Sequence, residues 1–467
     1  MLFSSIPFLY YFLPLVLICY FILPFGLKNG VLLLFSLVFY FYGEPVYTFL
    51  MLGSTLSAYI HGLLIDKYRG TKLSKVFLWS SVGISLLALG FFKYADFFIG
   101  NVNNLTGSNI PLLKLALPIG ISFYTFQILS YTIDVYRGDA APQKSYVRLA
   151  TYVTLFPQLI AGPIVRYTTV EEELSRRQHS FENFALGIRR FAVGLGKKVL
   201  LADVLGAMAQ ALHGSTNPSV AGFWLYAVAA SLQLYFDFSG YSDMAIGLGR
   251  VFGFHFLENF NYPFISKSVA EFWRRWHISL GSWFRDYVYI PLGGNRVNTA
   301  KWLRNILFVW FLTGFWHGAD WNFIIWGLYF AAFLVLEKFF YNRVFIHLPK
   351  VFSHLYVTVV ILVSFVIFSA DGVGGLLNDL RGMFFLGGLP LWTNATGYYL
   401  RSYSAPLIFG ILGATPLVKM AVQRLRQMGK GNLLVDLLEP VFLVVILLLA
   451  TAYFVDGSFS PFLYFRF

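Results

Sequence analysis

Residues 305–336 read NILFVWFLTGFWHGADWNFIIWGLYFAAFLVL. Two apolar stretches meet at a short polar joint, Trp316-His317-Gly318-Ala319-Asp320. The second begins a long apolar helix at Trp321, with Asp320 placed to cap its N-terminus. The first, from Asn305 to Trp316, reaches only part of the way across a bilayer at about 1.5 Å per residue. With Arg304 at the basic edge, His317 lies at membrane depth. An ionisable side chain there is costly and is a functional candidate by default. Gly314 and Gly318 have the small-xxx-small spacing that lets helix backbones approach closely. Packing accounts for these glycines but not for the histidine.

The same character extends outward in both directions. Of 467 residues, 58% are hydrophobic, 19% aromatic and only 12% charged. A soluble domain carries roughly 25% charged residues, so this chain lacks the polar surface a soluble body needs. Apolar runs begin near Phe8, Gly30, Lys75, Leu112, Val220, Trp321, Leu355, Pro406 and Val435. At about 20 residues per crossing they predict about ten or eleven spans. The fold expected is an all-α polytopic membrane protein forming a single domain over residues 1–467.

The net charge of +13 reads as a topology signal, because Lys and Arg collect in cytoplasmic loops. Basic stretches at Lys67–Lys75, Arg137–Arg148, Arg166–Lys198, Lys267–Arg304 and Lys419–Lys430 are placed inside. The polar loops Asn101–Asn109, His213–Ser219 and Asp371–Asn394 are placed outside, as is the tail from Asp456. No soluble basic domain exists to bind nucleic acid. The first basic residue is Lys28, so the first apolar run lacks the charged start of a cleavable signal peptide. One cysteine, Cys19, permits no intrachain disulfide and no cysteine metal site, and no metal is expected. Interruptions at Leu117-Pro-Ile-Gly120, Leu155-Phe-Pro157 and Ala161-Gly-Pro163 are tolerated at membrane depth only where protein or a water-filled cavity satisfies the backbone. They favour a body that encloses a cavity.

Three further polar stretches stand out. Glu271-Phe-Trp-Arg-Arg-Trp-His277-Ile-Ser-Leu-Gly-Ser-Trp-Phe-Arg-Asp286 is read as one helix. In that helix Trp273, His277, Leu280 and Phe284 share a face, and Arg274 and Arg285 share another. The arginines Arg274, Arg275 and Arg285 suit a phosphate or the lipid headgroups. Gln233-Leu-Tyr-Phe-Asp237-Phe-Ser-Gly-Tyr-Ser-Asp243 puts two carboxylates in apolar surroundings, where they need partners such as Arg250. A structural ion-pair role and a catalytic one both remain open for Asp237 and Asp243. The aromatic tail Ser458–Phe467 is expected to dock on the membrane body or on a partner. Histidine can take and return a proton near neutral pH, which acyl transfer to a weakly nucleophilic hydroxyl requires.

These stretches together resemble the membrane-bound O-acyltransferase family, in its alginate O-acetylation branch. The resemblance is carried by Gln158–Pro163, Tyr235–Asp243, Phe272–Leu280, Trp283–Gly294 and Gly314-Phe-Trp-His-Gly318, and it covers nearly the whole chain. It implies a ring of about eleven transmembrane helices, with re-entrant and interfacial helices, around a central tunnel. It implies that His317 is the signature histidine and that His277 lines the same tunnel; other branches carry asparagine at their first conserved polar position. Trp316 and the two aspartates would support the site. The donor implied is acetyl-CoA, bound as substrate and held at its phosphates by Arg274, Arg275 and Arg285, with no resident cofactor. An extracytoplasmic esterase-like acetyltransferase would be the partner, and an exported polysaccharide the final acceptor. The tail resembles a motif whose tyrosine carries the acyl group, here Tyr464. The location implied is the bacterial cytoplasmic (inner) membrane. The rival readings are D-alanyl transfer to teichoic acid, a transporter with a histidine proton relay, and a scaffold for export proteins.

Overall fold

A computed structural model describes residues 1–341, 349–429 and 431–457. Tyr464 and the other residues of the tail after 457 lie outside them. Among the described residues the chain is helical throughout, with no strand. Among the described residues five helices are long and apolar enough to cross a membrane: Pro45–Lys67, Lys72–Thr106, Trp321–Phe340, Lys350–Ser369 and Gly431–Val455. A sixth crossing arises if Ser404–Gly413 and Leu417–Gln427, bent by 68°, form one broken span. Pro7–Ile22 and Phe25–Phe41 are apolar but shorter. Large apolar side chains cover the outside of these helices; Leu87 is 73% exposed and Leu448 64% exposed. Such surfaces suit lipid rather than water. The expectation of about eleven spans is therefore matched only in part by length and apolarity.

The residues gather into two compact units, one of Met1–Phe191 with Ser242–Leu257 and one of Ala192–Tyr241 with Glu258–Phe467. In the first unit, helix Ile121–Arg137 falls outside the candidate crossings. It is buried almost all round, yet its buried residues include Ser122, Thr125, Gln127, Ser130, Thr132 and Asp134. The apolar run from Leu112 has no regular secondary structure until Pro118, and the helix starts only at Ile121. Gly120 takes the left-handed conformation at φ 77°, where a Cβ would lie 2.7 Å from the Leu159 carbonyl. The interruptions at 155–157 and 161–163 are buried and that at 117–120 is half-buried, and nearby side chains bond the backbone around them. Phe156 N donates to Ser36 Oγ at 3.1 Å, Tyr152 Oη to the Val165 carbonyl at 2.9 Å, and Tyr40 Oη to the Ile119 carbonyl at 2.8 Å.

The second unit is built on a core rich in Trp and Phe, with Trp326 and Phe330 fully buried. Helices Thr299–His317 and Trp321–Leu336 pack tightly because two glycines face each other. A Cβ on Gly314 would lie 3.2 Å from Gly327 Cα and would strike the Phe323 carbonyl. Asp320 caps the second of these helices, its carboxylate accepting from Trp321 N, as the sequence predicts. Asn322 Nδ2 donates to the Ala370 carbonyl at 3.0 Å, and Tyr329 Oη to the Val360 carbonyl at 2.9 Å. Both bonds tie this hairpin to helix Lys350–Ser369.

Candidate active site

Asn298 opens helix Thr299–His317 by accepting from Lys301 N at 2.9 Å. His317 is its last residue, and Gly318 leaves in an extended conformation. The imidazole folds back on its own helix, with Nδ1 2.7 Å from the Thr313 carbonyl. A carbonyl can only accept, so Nδ1 carries the proton and Nε2 the lone pair in the neutral ring.

The segment around His277 departs from the sequence reading. Residues 271–286 do not form one helix. Val269–Arg275 and Ile278–Phe284 are separate, and His277 between them takes a left-handed backbone with φ 45°. Trp273, His277, Leu280 and Phe284 therefore do not share a helical face. The break is fixed by Asn259, which is fully buried. Its carbonyl accepts from Ile278 N at 3.0 Å. Its Oδ1 accepts from Ser279 N at 3.1 Å and from Ser279 Oγ at 2.9 Å, and lies 3.2 Å from His277 Nδ1. The backbone donor identifies that amide atom as oxygen, so His277 Nδ1 must be the donor and Nε2 the lone-pair nitrogen. Nε2 is buried and has no hydrogen-bond partner among the described residues. Further support comes from Glu337, whose carboxylate accepts from Val269 N and from Ala270 N at the start of helix Val269–Arg275.

The two histidines are brought together. His277 is 1% exposed and His317 6% exposed. Trp316 touches both rings, at 6.1 Å from His277 and 4.9 Å from His317 between centroids. Phe238 stands edge-on to His277 at 4.6 Å; Trp326 and Phe368 flank His317 at 4.8 and 5.6 Å. His277 belongs to a turn outside the candidate spans. Burial in this aromatic setting, and then the proximity of His317, hold its imidazole well below the ordinary histidine range. Such a pair offers two proton-accepting nitrogens in surroundings that exclude water.

The other predicted residues are placed as follows. Arg274 is exposed. Arg275 pairs with Glu271 at 2.9 Å, and Arg285 pairs with its neighbour Asp286 at 2.6 Å. The arginine face expected from a single helix is lost with that helix. In the first unit Asp243 pairs with Arg190 at 2.8 Å. In the second, Asp237 pairs with Lys198 at 2.8 Å, and Lys198 also pairs with Asp203 at 2.6 Å. The suggested partner Arg250 instead donates to Asn183 at 3.1 Å. Sequence reasoning missed Asn259 and Lys198. Nothing in a lone asparagine signals its role. Lys198, followed by Val199-Leu-Leu-Ala, could have been flagged as a lysine needing a buried partner.

The profile of the membrane-bound O-acyltransferase family matches residues 139–376, which include both histidines. The chain is 38% identical to a probable alginate O-acetylase of Azotobacter vinelandii over the full length of both. It is 34% identical to a peptidoglycan O-acetyltransferase of Helicobacter pylori, over 90% of this chain and 88% of that one. A teichoic acid D-alanyltransferase of Bacillus subtilis is 31% identical over 54% of this chain and 67% of its own. The fold and these matches define a multi-pass membrane protein that transfers acyl groups. The chain belongs to the membrane-bound O-acyltransferase family and is an O-acyltransferase of its acetyl-transferring branch.

Proposed function

We propose that this protein moves an acetyl group from acetyl-CoA on the cytoplasmic side of a bacterial inner membrane to the hydroxyl of an exported polysaccharide, alginate or a similar glycan. The observation that carries this reading is the shared aromatic surroundings of His277 and His317, with Nδ1 of each donating to an oxygen and the lone pair of each therefore on Nε2. His317 Nε2 takes the proton from the attacking hydroxyl. The oxygen bonds to the thioester carbonyl carbon, the carbon–sulfur bond breaks, and the imidazolium returns the proton to the departing thiolate. His277 orients the acceptor or assists the proton transfer. The buried setting withholds water, which would otherwise hydrolyse the thioester.

In this reading Arg274, Arg275 and Arg285 hold the donor's phosphates. The Glu271 and Asp286 pairs are partly exposed and weak enough to exchange for a phosphate. Asp237 and Asp243 hold the scaffold through Lys198 and Arg190. The helices form one ring-shaped domain around a tunnel that reaches the two histidines from both sides. Tyr464 receives the acyl group first, and an extracytoplasmic esterase-like acetyltransferase passes it to the polymer. The full-length similarity to a probable alginate O-acetylase favours a glycan acceptor over D-alanyl transfer, whose relative matches about half of this chain.

The test is acetylation of the exported polymer in cells carrying His317→Ala, with membrane insertion checked in parallel. Loss of a general base lowers turnover by about 10²–10⁴. Acetylation at the wild-type level by an inserted His317→Ala protein sinks the assignment.

A further inference from the structure

The first unit holds a buried guanidinium, Arg177, whose hydrogen bonds all go to neutral acceptors. Arg177 is 7% exposed. Its Nε donates to Tyr20 Oη at 3.1 Å, and its Nη1 to Asn29 Oδ1 at 2.7 Å and to the Glu173 carbonyl at 3.2 Å. All three acceptors are neutral, and Nη2 has no partner among the described residues. The Glu173 carboxylate reaches Arg177 only through its field, its oxygens being taken by His255 Nδ1 at 2.6 Å and His255 N at 3.1 Å. Aromatic rings supply part of the compensation, with Phe254 4.5 Å from the guanidinium.

Two more basic groups gather on the same tyrosine. Tyr20 Oη donates to the Phe252 carbonyl at 2.7 Å, so it accepts from His179 Nε2 at 2.9 Å. Lys28 Nζ stands 4.6 Å over the Tyr20 ring and 5.3 Å from the Phe21 ring. Lys28 and His179 are half-buried, whereas Arg177 is buried. Burial first, then Lys28 and Arg177, push the His179 imidazole down, as expected of a group crowded by like charge. Buried charge of one sign is normally matched by the opposite sign. Around this knot the surface is apolar: Phe21 is 41% exposed, Ile22 77%, Phe25 40% and Leu27 55%. A free phosphate has no use for that apolar rim, whereas a lipid needs both the rim and the charge. The cluster includes part of the basic stretch 166–198, which positive charge places on the cytoplasmic side.

We propose that Lys28, Arg177 and His179 form a binding site for the phosphate headgroup of an anionic phospholipid of the inner leaflet. Lys28 makes the direct contact, Arg177 supplies field from its buried position, and the apolar rim receives the acyl chains. The site is independent of the acyl-transfer chemistry.

The test uses the full-length protein in detergent, titrated with phosphatidylglycerol and read by native mass spectrometry. Lys28→Gln should weaken the tightest phosphatidylglycerol binding roughly fivefold, the effect of about one surface charge. Lys28→Arg should retain it, which separates charge from folding. Arg176→Gln removes an exposed charge next to Arg177 in the sequence and should leave the binding unchanged. Phosphatidylcholine should bind more weakly than phosphatidylglycerol to the wild type. Unchanged phosphatidylglycerol binding by Lys28→Gln overturns the proposal. So does displacement of the lipid by inorganic phosphate at equal concentration, which would make this a site for a soluble anion.

Discussion

Asn259 offers the sharpest handle on the two-histidine arrangement, through a pair of substitutions that separate structure from proton chemistry. Its Oδ1 faces three donors, Ser279 N, Ser279 Oγ and His277 Nδ1, at 3.1, 2.9 and 3.2 Å. Asn259→Ala removes that acceptor. The Ser279 hydroxyl can rotate, but the backbone N–H and the ring N–H are left buried and unsatisfied, at about 1–3 kcal/mol each. The left-handed turn at His277, itself uphill by roughly 1–2 kcal/mol, loses its clamp. Asn259→Ala should therefore cost about 2–6 kcal/mol in a melt of the purified protein. Asn259→Asp keeps the shape and accepts from the same donors, but it places a carboxylate against the imidazole. His277 is held low by burial first and then by the proximity of His317. The new carboxylate favours the imidazolium and raises that pKa. A raised pKa means the Nε2 lone pair is present only at higher pH. The acid limb of the acetyl-transfer rate should then move up by about one to three pH units, with activity recovered under alkaline conditions. The assay is transfer from labelled acetyl donor in proteoliposomes across pH 5–9. A profile for Asn259→Asp that superimposes on the wild type refutes the reasoning, whatever the melt shows.

Three other outcomes are expected. Gly314→Ala drives a Cβ into the Phe323 carbonyl and against Gly327, so it should lower stability by about 1–3 kcal/mol and reduce turnover by shifting His317; a melt and the transfer assay check both. Lys198→Met strands the Asp203 and Asp237 carboxylates, whose side chains are 15% and 3% exposed, and should destabilise by about 3–5 kcal/mol. Adding Asp237→Asn should recover part of that loss in the same melt. His277 also predicts a pH effect on stability. Its pKa is lowered in the folded state, so below the unfolded value of about 6.5 only the unfolded chain takes up the proton. The melting temperature should fall between pH 7 and pH 5, and fall less in His277→Gln.

Much of this architecture was legible because the chain writes it in runs. The helix from Trp321, its Asp320 cap and the close approach at Gly314 all follow from local pattern and glycine spacing. His317 was recognisable because depth and an apolar flank make a histidine conspicuous. Helix Ile121–Arg137 was harder, since its polar residues turn inward and blunt the apolar signal. The break at His277 was hidden for a different reason. Residues 271–286 have good helical periodicity, and the interruption is imposed by Asn259, which is 18 residues away from His277 in the chain. Lys198 was missed as the partner of Asp237 because the pairing depends on two helices meeting at Gly240, where a Cβ would lie 3.1 Å from Lys198 N. Local pattern cannot report a contact made by tertiary packing.

The backbone at His277 also decides how that position can be interrogated. Left-handed geometry is open to asparagine, aspartate and histidine but hostile to β-branched side chains. Valine or isoleucine there would distort the chain and imitate the loss of a proton acceptor. Asparagine would keep the turn while deleting the imidazole. His317 sits in ordinary helical geometry and carries no such ambiguity, so replacements at the two positions are not equivalent experiments.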